Sequence, residues 1–172
     1  YNPFSSTALT GVVGALYEPL FYMNNLKDDP TKLEPLMGKS YTISDDAKTI
    51  DVTIRDGEKW SDGEPYTTED VAYTFNLLNS NKALNTSGFA GSAKVLSDTE
   101  VRITLDKPES VNALSYLSGT MIVPKHVWEK IDDPVTYTNK DAVGSGPFTV
   151  KGGNFSPTAY TFKKNPYYWD EG

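Results

Sequence analysis

The sequence predicts an α+β fold made of antiparallel hairpins and a few short helices. Strand-like runs come in adjacent pairs joined by short turns, a capped amphipathic helix separates two such pairs, and no heptad or long apolar stretch runs through the 172 residues. Runs such as Met121–Val123 fall far short of the roughly 18 apolar residues that cross a bilayer. A chain of this length forms one ordinary domain or two small subdomains and can bury about 70% of its unfolded surface.

The elements follow in order. Ala8–Leu16 is apolar and carries Gly11 and Gly14, which reads as a short helix. Tyr17–Tyr22 is extended and aromatic, and Asp28-Asp29-Pro30 is a turn. Lys39–Ser44 and Thr49–Arg55 form a hairpin across Asp45–Lys48. In its second strand Ile50, Val52 and Ile54 alternate with Asp51, Thr53 and Arg55, so the apolar side chains share one face. Asp56-Gly57 and Asp62-Gly63 place two turns around Trp60.

Thr67 is positioned as an N-cap, and Asp70 three residues on completes a capping-box arrangement. Val71, Phe75 and Leu78 then fall on one face of a helix over 68–78. Lys94–Ser97 and Glu100–Leu105 make a second hairpin. Short helices are expected over Ser110–Leu117 and Lys125–Ile131. Gly144-Ser145-Gly146-Pro147 punctuates the chain, its glycines supplying unusual backbone angles. The strands Phe148–Lys151 and Ala159–Lys163 follow, across the loop Gly152–Pro157, and Asn165-Pro166 turns into Tyr167-Tyr168-Trp169.

Composition excludes several classes of function. Sixteen Lys and Arg against 23 Asp and Glu give a net charge of −7, which repels phosphate backbones and argues against nucleic acid as a partner. One His and no Cys leave no ligand set for zinc fingers or Fe–S clusters and no thiol chemistry, so no cofactor and no metal are expected. The excess is aromatic, with 11 Tyr, 7 Phe and 3 Trp, a surface suited to sugar or peptide binding. Paired acids at 28/29, 45/46, 69/70 and 132/133 sit in turns or a helix start, where acids serve local structure. His126 lacks partners for a metal or general-base role. Ser145 lies in Gly-Ser-Gly-Pro rather than G-x-S-x-G, and neither a Walker loop nor G-x-G-x-x-G occurs. The chain is therefore read as no enzyme. Asn85-Thr86-Ser87 and Asn154-Phe155-Ser156 are incidental sequons.

Three segments stand in order: Arg55–Val71 (RDGEKWSDGEPYTTEDV), Val143–Phe148 (VGSGPF) and Lys164–Trp169 (KNPYYW). Together they resemble the family 5 extracellular solute-binding proteins of ABC importers, which take peptides, nickel or oligosaccharides. Tyr17–Phe21 and Ile122–Trp128 support the resemblance, which covers nearly the whole chain; Ser145 stands where Thr is more usual.

The resemblance implies a piece of lobe I of a two-lobed, type II periplasmic-binding-protein fold, without the second lobe. Residues 20–140 would form most of the smaller subdomain, and residues 1–19 and 141–172 parts of the larger one. It implies a monomeric, extracytoplasmic receptor, periplasmic or lipid-anchored, that hands its ligand to an ABC permease. A chain that begins at Tyr1 without Met fits a fragment, which alone would bind weakly.

The motifs themselves read as architecture: Trp60, Asp62, Gly63, Thr67, Gly144, Gly146, Pro147 and Trp169. Recognition is assigned to loops: Asn2 beside Phe4, Tyr17 and Glu18, Phe89 in the loop 85–91, and Tyr116 and Thr120 around Ser118. Tyr17 leads these, since tyrosine offers a stacking face and a hydroxyl. An oligopeptide is the preferred ligand, an oligosaccharide the alternative, and a stand-alone carbohydrate-active or adhesion domain the remaining rival.

Overall fold

The computed structural model describes residues 1–6, 8, 11–29, 31–156 and 159–170. Its centre is a four-stranded antiparallel sheet in the order β3 (Gly38–Ile43), β4 (Thr49–Ile54), β6 (Glu100–Leu105), β5 (Gly91–Val95). In β4 every second residue, Ile50, Val52 and Ile54, is buried. Across the ladder Ile50 faces Ile103 and Val52 faces Val101. The predicted alternation therefore fixes both the face and the register. Asp51 and Arg102, on the opposite face of the same pair, form a two-bond ion pair at 2.6 and 2.7 Å.

Helix α1 (Thr68–Ser80) packs on this sheet through Val71, Ala72 and Phe75, and Leu78 on the same face is also buried. It also runs beside the outer strand. The Asn76 amide donates to the Ala93 carbonyl (2.8 Å) and accepts from the Ala93 N–H (2.9 Å), and Asn79 Oδ1 accepts from the Gly91 N–H at 3.3 Å. Helix α2 (Ser110–Gly119) brings Ala113, Tyr116 and Leu117 onto the same core. The expected Lys125–Ile131 helix is shorter: α3 spans Lys125–Trp128 and ends in turns.

A second apolar cluster joins Val12, Leu16, Tyr17, Met121, Val123, Trp128 and Ala142, with Tyr1, Phe4 and Phe162 packed against it. Strands β7 (Phe148–Ser156) and β8 (Ala159–Lys164) form a hairpin beside it. β7 extends through residues expected to be loop. It does so across an irregularity between Thr149 and Asn154, where Gly152 adopts φ 74°. The chain also closes a two-stranded ribbon, β1 (Phe21–Tyr22) with β2 (Glu34–Pro35), for which the sequence gives no periodicity.

The helix expected over Ala8–Leu16 is not formed as such. Leu9 and Thr10 lie outside the described residues. Val12–Leu16 makes one wide turn broken by Val13 (ψ 127°) and Gly14 (φ 82°), and Gly11 enters it at φ 89°. Two left-handed glycines three positions apart bend the backbone where a helix would keep it straight. The Asp28–Pro30 turn is described only as far as Asp29.

Candidate functional site

The three sequence motifs converge on one junction. The Gly144 N–H donates to Ser61 Oγ (3.1 Å), and the Ser61 N–H donates to the Gly144 carbonyl (3.0 Å). The Gly146 N–H donates to the Leu16 carbonyl at 2.9 Å, and the Glu18 N–H to Ser145 Oγ at 3.3 Å. Asn165 then ties the last motif on: its side-chain amide donates to the Gly146 carbonyl (2.9 Å) and its N–H to the Pro147 carbonyl (2.8 Å). All of Gly144, Ser145, Gly146 and Asn165 are buried.

The two glycines serve here by having no side chain, not by unusual angles. Neither is among the residues at positive φ. A Cβ on Gly144 would overlap the Leu16 carbonyl, and one on Gly146 the Ala15 carbonyl. The strip 144–147 thus lies backbone to backbone against 15–18. The sequence-based account of Gly144 and Gly146 is corrected on this point: close approach replaces torsion as the reason.

Glu18 sits at the end of that strip with 6% of its surface exposed. Its carboxylate accepts from the Tyr168 hydroxyl (2.8 Å) and the Trp169 indole N–H (3.0 Å). Burial pushes the Glu18 carboxyl above the ordinary 4.5; the two hydrogen bonds oppose this, and nearby Asp170 adds to it. The Arg55 guanidinium lies 4.1 Å over the Trp169 ring. An anion at the indole N–H and a cation on its face therefore hold Trp169 from two sides.

Trp60 is wholly buried, tilted against Tyr66 with ring centroids 4.7 Å apart. Its indole N–H donates to Asp70, which also accepts from the Thr67 N–H (2.8 Å), the Thr67 hydroxyl (3.1 Å) and the Lys125 N–H (2.7 Å). The helix-capping acid is thus also the anchor of Trp60 and of the α3 start. Pro65 and Gly63 shape the turn between them, Gly63 at φ 96° beneath the Tyr167 ring. Asp62 accepts from the Glu64 N–H and meets His126 Nε2 at 2.9 Å.

The other residues proposed for recognition are also interior. Tyr17 is fully buried and its hydroxyl accepts from the Asn139 amide at 2.8 Å; burial pushes its hydroxyl far up. Asn2 donates to the Pro134 and Tyr137 carbonyls. Phe89 packs edge-on to Phe75 (5.0 Å) and Tyr116 (5.4 Å), inside a loop clamped by both sides of the Asn85 amide. The Tyr116 hydroxyl donates to Glu109 at 2.7 Å and is pushed up to about 12, first by burial and then by that carboxylate. Thr120 is buried with no hydrogen-bond partner on its hydroxyl. The junction thus brings together Glu18, Trp60, Gly144, Gly146, Pro147 and Trp169, while Phe89 and Tyr116 lie in the sheet core, Tyr17 lies in the second cluster and Asn2 is tied to the 134–137 backbone.

Sequence reasoning did not single out Asn139, Asn165 or Arg55. Asn139 holds φ 50° and links the Tyr1 carbonyl to the Tyr17 hydroxyl. A left-handed asparagine between polar residues carries only the weak signal of a turn. A cleft of about 750 Å³ opens beside this region, lined among others by Tyr1, Asp62, Lys140, Thr149, Phe155 and Thr161. Among the described residues no group of three or more His, Asp or Glu could hold a metal ion, and no helix is long and apolar enough to cross a membrane.

The family model for bacterial extracellular solute-binding proteins, family 5, middle region, matches residues 32–172. The chain belongs to this family. Relatives of the chain include the peptidoglycan-binding protein YepA of Agrobacterium fabrum, 31% identical over 98% of this chain and 29% of its own length. The dipeptide-binding protein DppE of Bacillus subtilis is 27% identical over 99% of this chain and 35% of its own. The crystal structure of a periplasmic oligopeptide-binding protein of an ABC transporter from Thermotoga maritima superposes on 98% of this chain with a TM-score of 0.85 at 29% identity. That match covers 31% of the Thermotoga chain; a mannohexaose-bound crystal structure of the oligopeptide-binding protein gives 0.84 at 28%. This family 5 chain therefore spans about a third of the length of the relatives it matches.

Proposed function

We propose that this chain works as part of a two-lobed receptor that captures an oligopeptide outside the cytoplasmic membrane and delivers it to an ABC permease, changing no covalent bond. The observation that carries the reading is the match to the Thermotoga oligopeptide-binding protein, which runs through 98% of the chain at a TM-score of 0.85. Ligand held between two lobes favours closure because it contacts both. The receptor is proposed to act as a monomer, periplasmic or lipid-anchored, without cofactor.

An oligosaccharide ligand is the second reading. The mannohexaose-bound neighbour favours it, and a peptidoglycan-binding relative fits either chemistry.

Within the receptor, 20–140 is proposed as the smaller subdomain of lobe I and 1–19 with 141–172 as parts of the larger. Tyr17 and Leu20 fall in different apolar clusters, while Met121, Val123 and Trp128 pack with the N-terminal residues and Val143 and Trp169 with the sheet core. Asn2, Tyr17, Glu18, Phe89, Tyr116 and Thr120 are proposed as the residues behind the ligand-facing wall. Trp60, Asp62, Gly63, Thr67, Gly144, Gly146, Pro147 and Trp169 are proposed as the frame.

Calorimetry tests the reading. A receptor of relative-like length containing this chain is titrated with short peptides, with β-mannan oligosaccharides and with soluble peptidoglycan fragments. Saturable binding of peptides without turnover is expected. Hydrolysis of any of these ligands, abolished by replacing one carboxylate, would remove the transport reading; binding of the glycans alone would move it to the second.

A further inference from the structure

The sequence holds two Asp-Gly pairs, at 56–57 and 62–63. The structure treats them oppositely. Asp62 has both carboxylate oxygens engaged, Oδ1 by the Glu64 N–H at 3.1 Å and Oδ2 by His126 Nε2 at 2.9 Å. The Gly63 N–H, the atom that would attack that carboxyl group, donates to the Trp60 carbonyl at 2.9 Å. Gly63 is also boxed in, since a Cβ there would meet the Tyr167 ring at 3.3 Å.

Asp56-Gly57 has none of these restraints. Both residues are exposed. Among the described residues no hydrogen bond engages the Asp56 carboxylate or the Gly57 N–H. Gly57 sits at φ 78° in a turn where nothing would come within 4 Å of an added Cβ. Only glycine combines an unhindered amide nitrogen with ready access to both signs of φ, so this turn can sample the approach that ring closure needs.

We propose that Asp56-Gly57 is a self-modification site, at which Asp56 converts to isoaspartate through a succinimide while Asp62-Gly63 is held unreactive by its partners. The Gly57 nitrogen attacks Cγ of the protonated Asp56 carboxyl group; the N–Cγ bond forms, the C–OH bond breaks, and one water leaves with the amide proton. Water then adds to the imide. Attack at Cγ restores aspartate, and attack at the main-chain carbonyl leaves isoaspartate, with the main chain running through the former side chain. The two steps release and consume one water, so no oxidant, reductant or enzyme is required. The product inserts one extra methylene between β4 and the Trp60 turn and leaves a free α-carboxylate in place of the side-chain one.

The test is incubation of the folded receptor of relative-like length containing this chain in mildly acidic buffer at a temperature below its unfolding transition, followed by digestion and mass spectrometry with electron-transfer fragmentation to tell isoaspartate from aspartate. The expected result is a species lacking one water at 56–57, then isoaspartate at 56, accumulating at least about tenfold faster than at 62. In urea the two sites should react at similar rates, because the hydrogen bonds that separate them are gone. The variant Asp56→Glu, which would need a larger ring, should lose the signal and keep the fold. Equal rates at 56 and 62 in the folded chain, faster reaction at 62, or no reaction at 56 over a period in which the unfolded chain reacts would each overturn the proposal.

Discussion

The Trp169 indole N–H donates to Glu18 Oε2 at 3.0 Å, a bond that spans 151 positions of the chain. Burial is the largest influence on this carboxyl group and raises it above 4.5, so the folded chain keeps the Glu18 proton to a higher pH than the unfolded chain does. The linked stability is full below about pH 4.5 and is lost as pH rises through the raised native value. Glu18→Gln removes that loss. Urea unfolding at about pH 4.5 and at neutral pH should show the stability of the variant relative to the parent increasing with pH. A relative stability that falls with pH would contradict the burial argument. Glu18→Ala should be worse at both, by about 1–3 kcal/mol, because Trp169 and Tyr168 lose their acceptor.

Asp70 gathers four donors, from Thr67, Trp60 and Lys125. Asp70→Ala leaves three buried or half-buried N–H groups without a partner and should cost about 3 kcal/mol or more by denaturant melts. Its neighbour Glu69, paired with Lys125 at the exposed surface, should cost under about 1 kcal/mol when replaced by alanine. Similar losses for the two would mean that Asp70 is not the anchor its contacts describe.

Gly144→Ala forces a methyl group into the Leu16 carbonyl, and the neighbouring backbone has no free side chain to yield. The expected loss is about 3 kcal/mol, the upper end for overpacking. Gly57→Ala meets no neighbour and should cost about 1 kcal/mol for its left-handed backbone alone. Thermal unfolding of the two variants side by side reads the difference; a tolerated Gly144→Ala would show that the strip 144–147 can move away from 15–18.

Phe89→Ala should destabilise by about 3–5 kcal/mol, since the ring is 2% exposed between Phe75 and Tyr116. Phe155, 65% exposed, should tolerate the same change within about 0.5 kcal/mol. Ligand titration of Phe89→Ala under conditions where it stays folded separates packing from recognition. Unchanged affinity would remove Phe89 from the proposed wall.

What the sequence made legible was local. The alternation in Thr49–Ile54 reports a half-buried strand because period two is a property of the pleat, and Thr67 with Asp70 reports a helix start because the two lie one turn apart. Glu18 was legible as a loop acid but not as a buried one, because its partners Tyr168 and Trp169 come from the far end of the chain. Gly144 looked like a torsional device because sequence offers torsion as the usual reason for glycine; the carbonyl that excludes a Cβ belongs to Leu16. Phe89 sits between polar and glycine residues, so the pattern resembled an open loop; Asn85 closes that loop and turns the ring inward.

Asn76 and Asn79 carry a further consequence. The outward N–H and carbonyl of Ala93 and the N–H of Gly91 are satisfied by amide side chains rather than by another strand. Helix residues three apart thus match strand residues two apart, and the Gly91–Ala93 part of β5 offers fewer open ladder groups to a passing extended segment. An extended segment, whether a free peptide or a second copy of this chain, therefore finds those backbone groups of Gly91 and Ala93 already occupied.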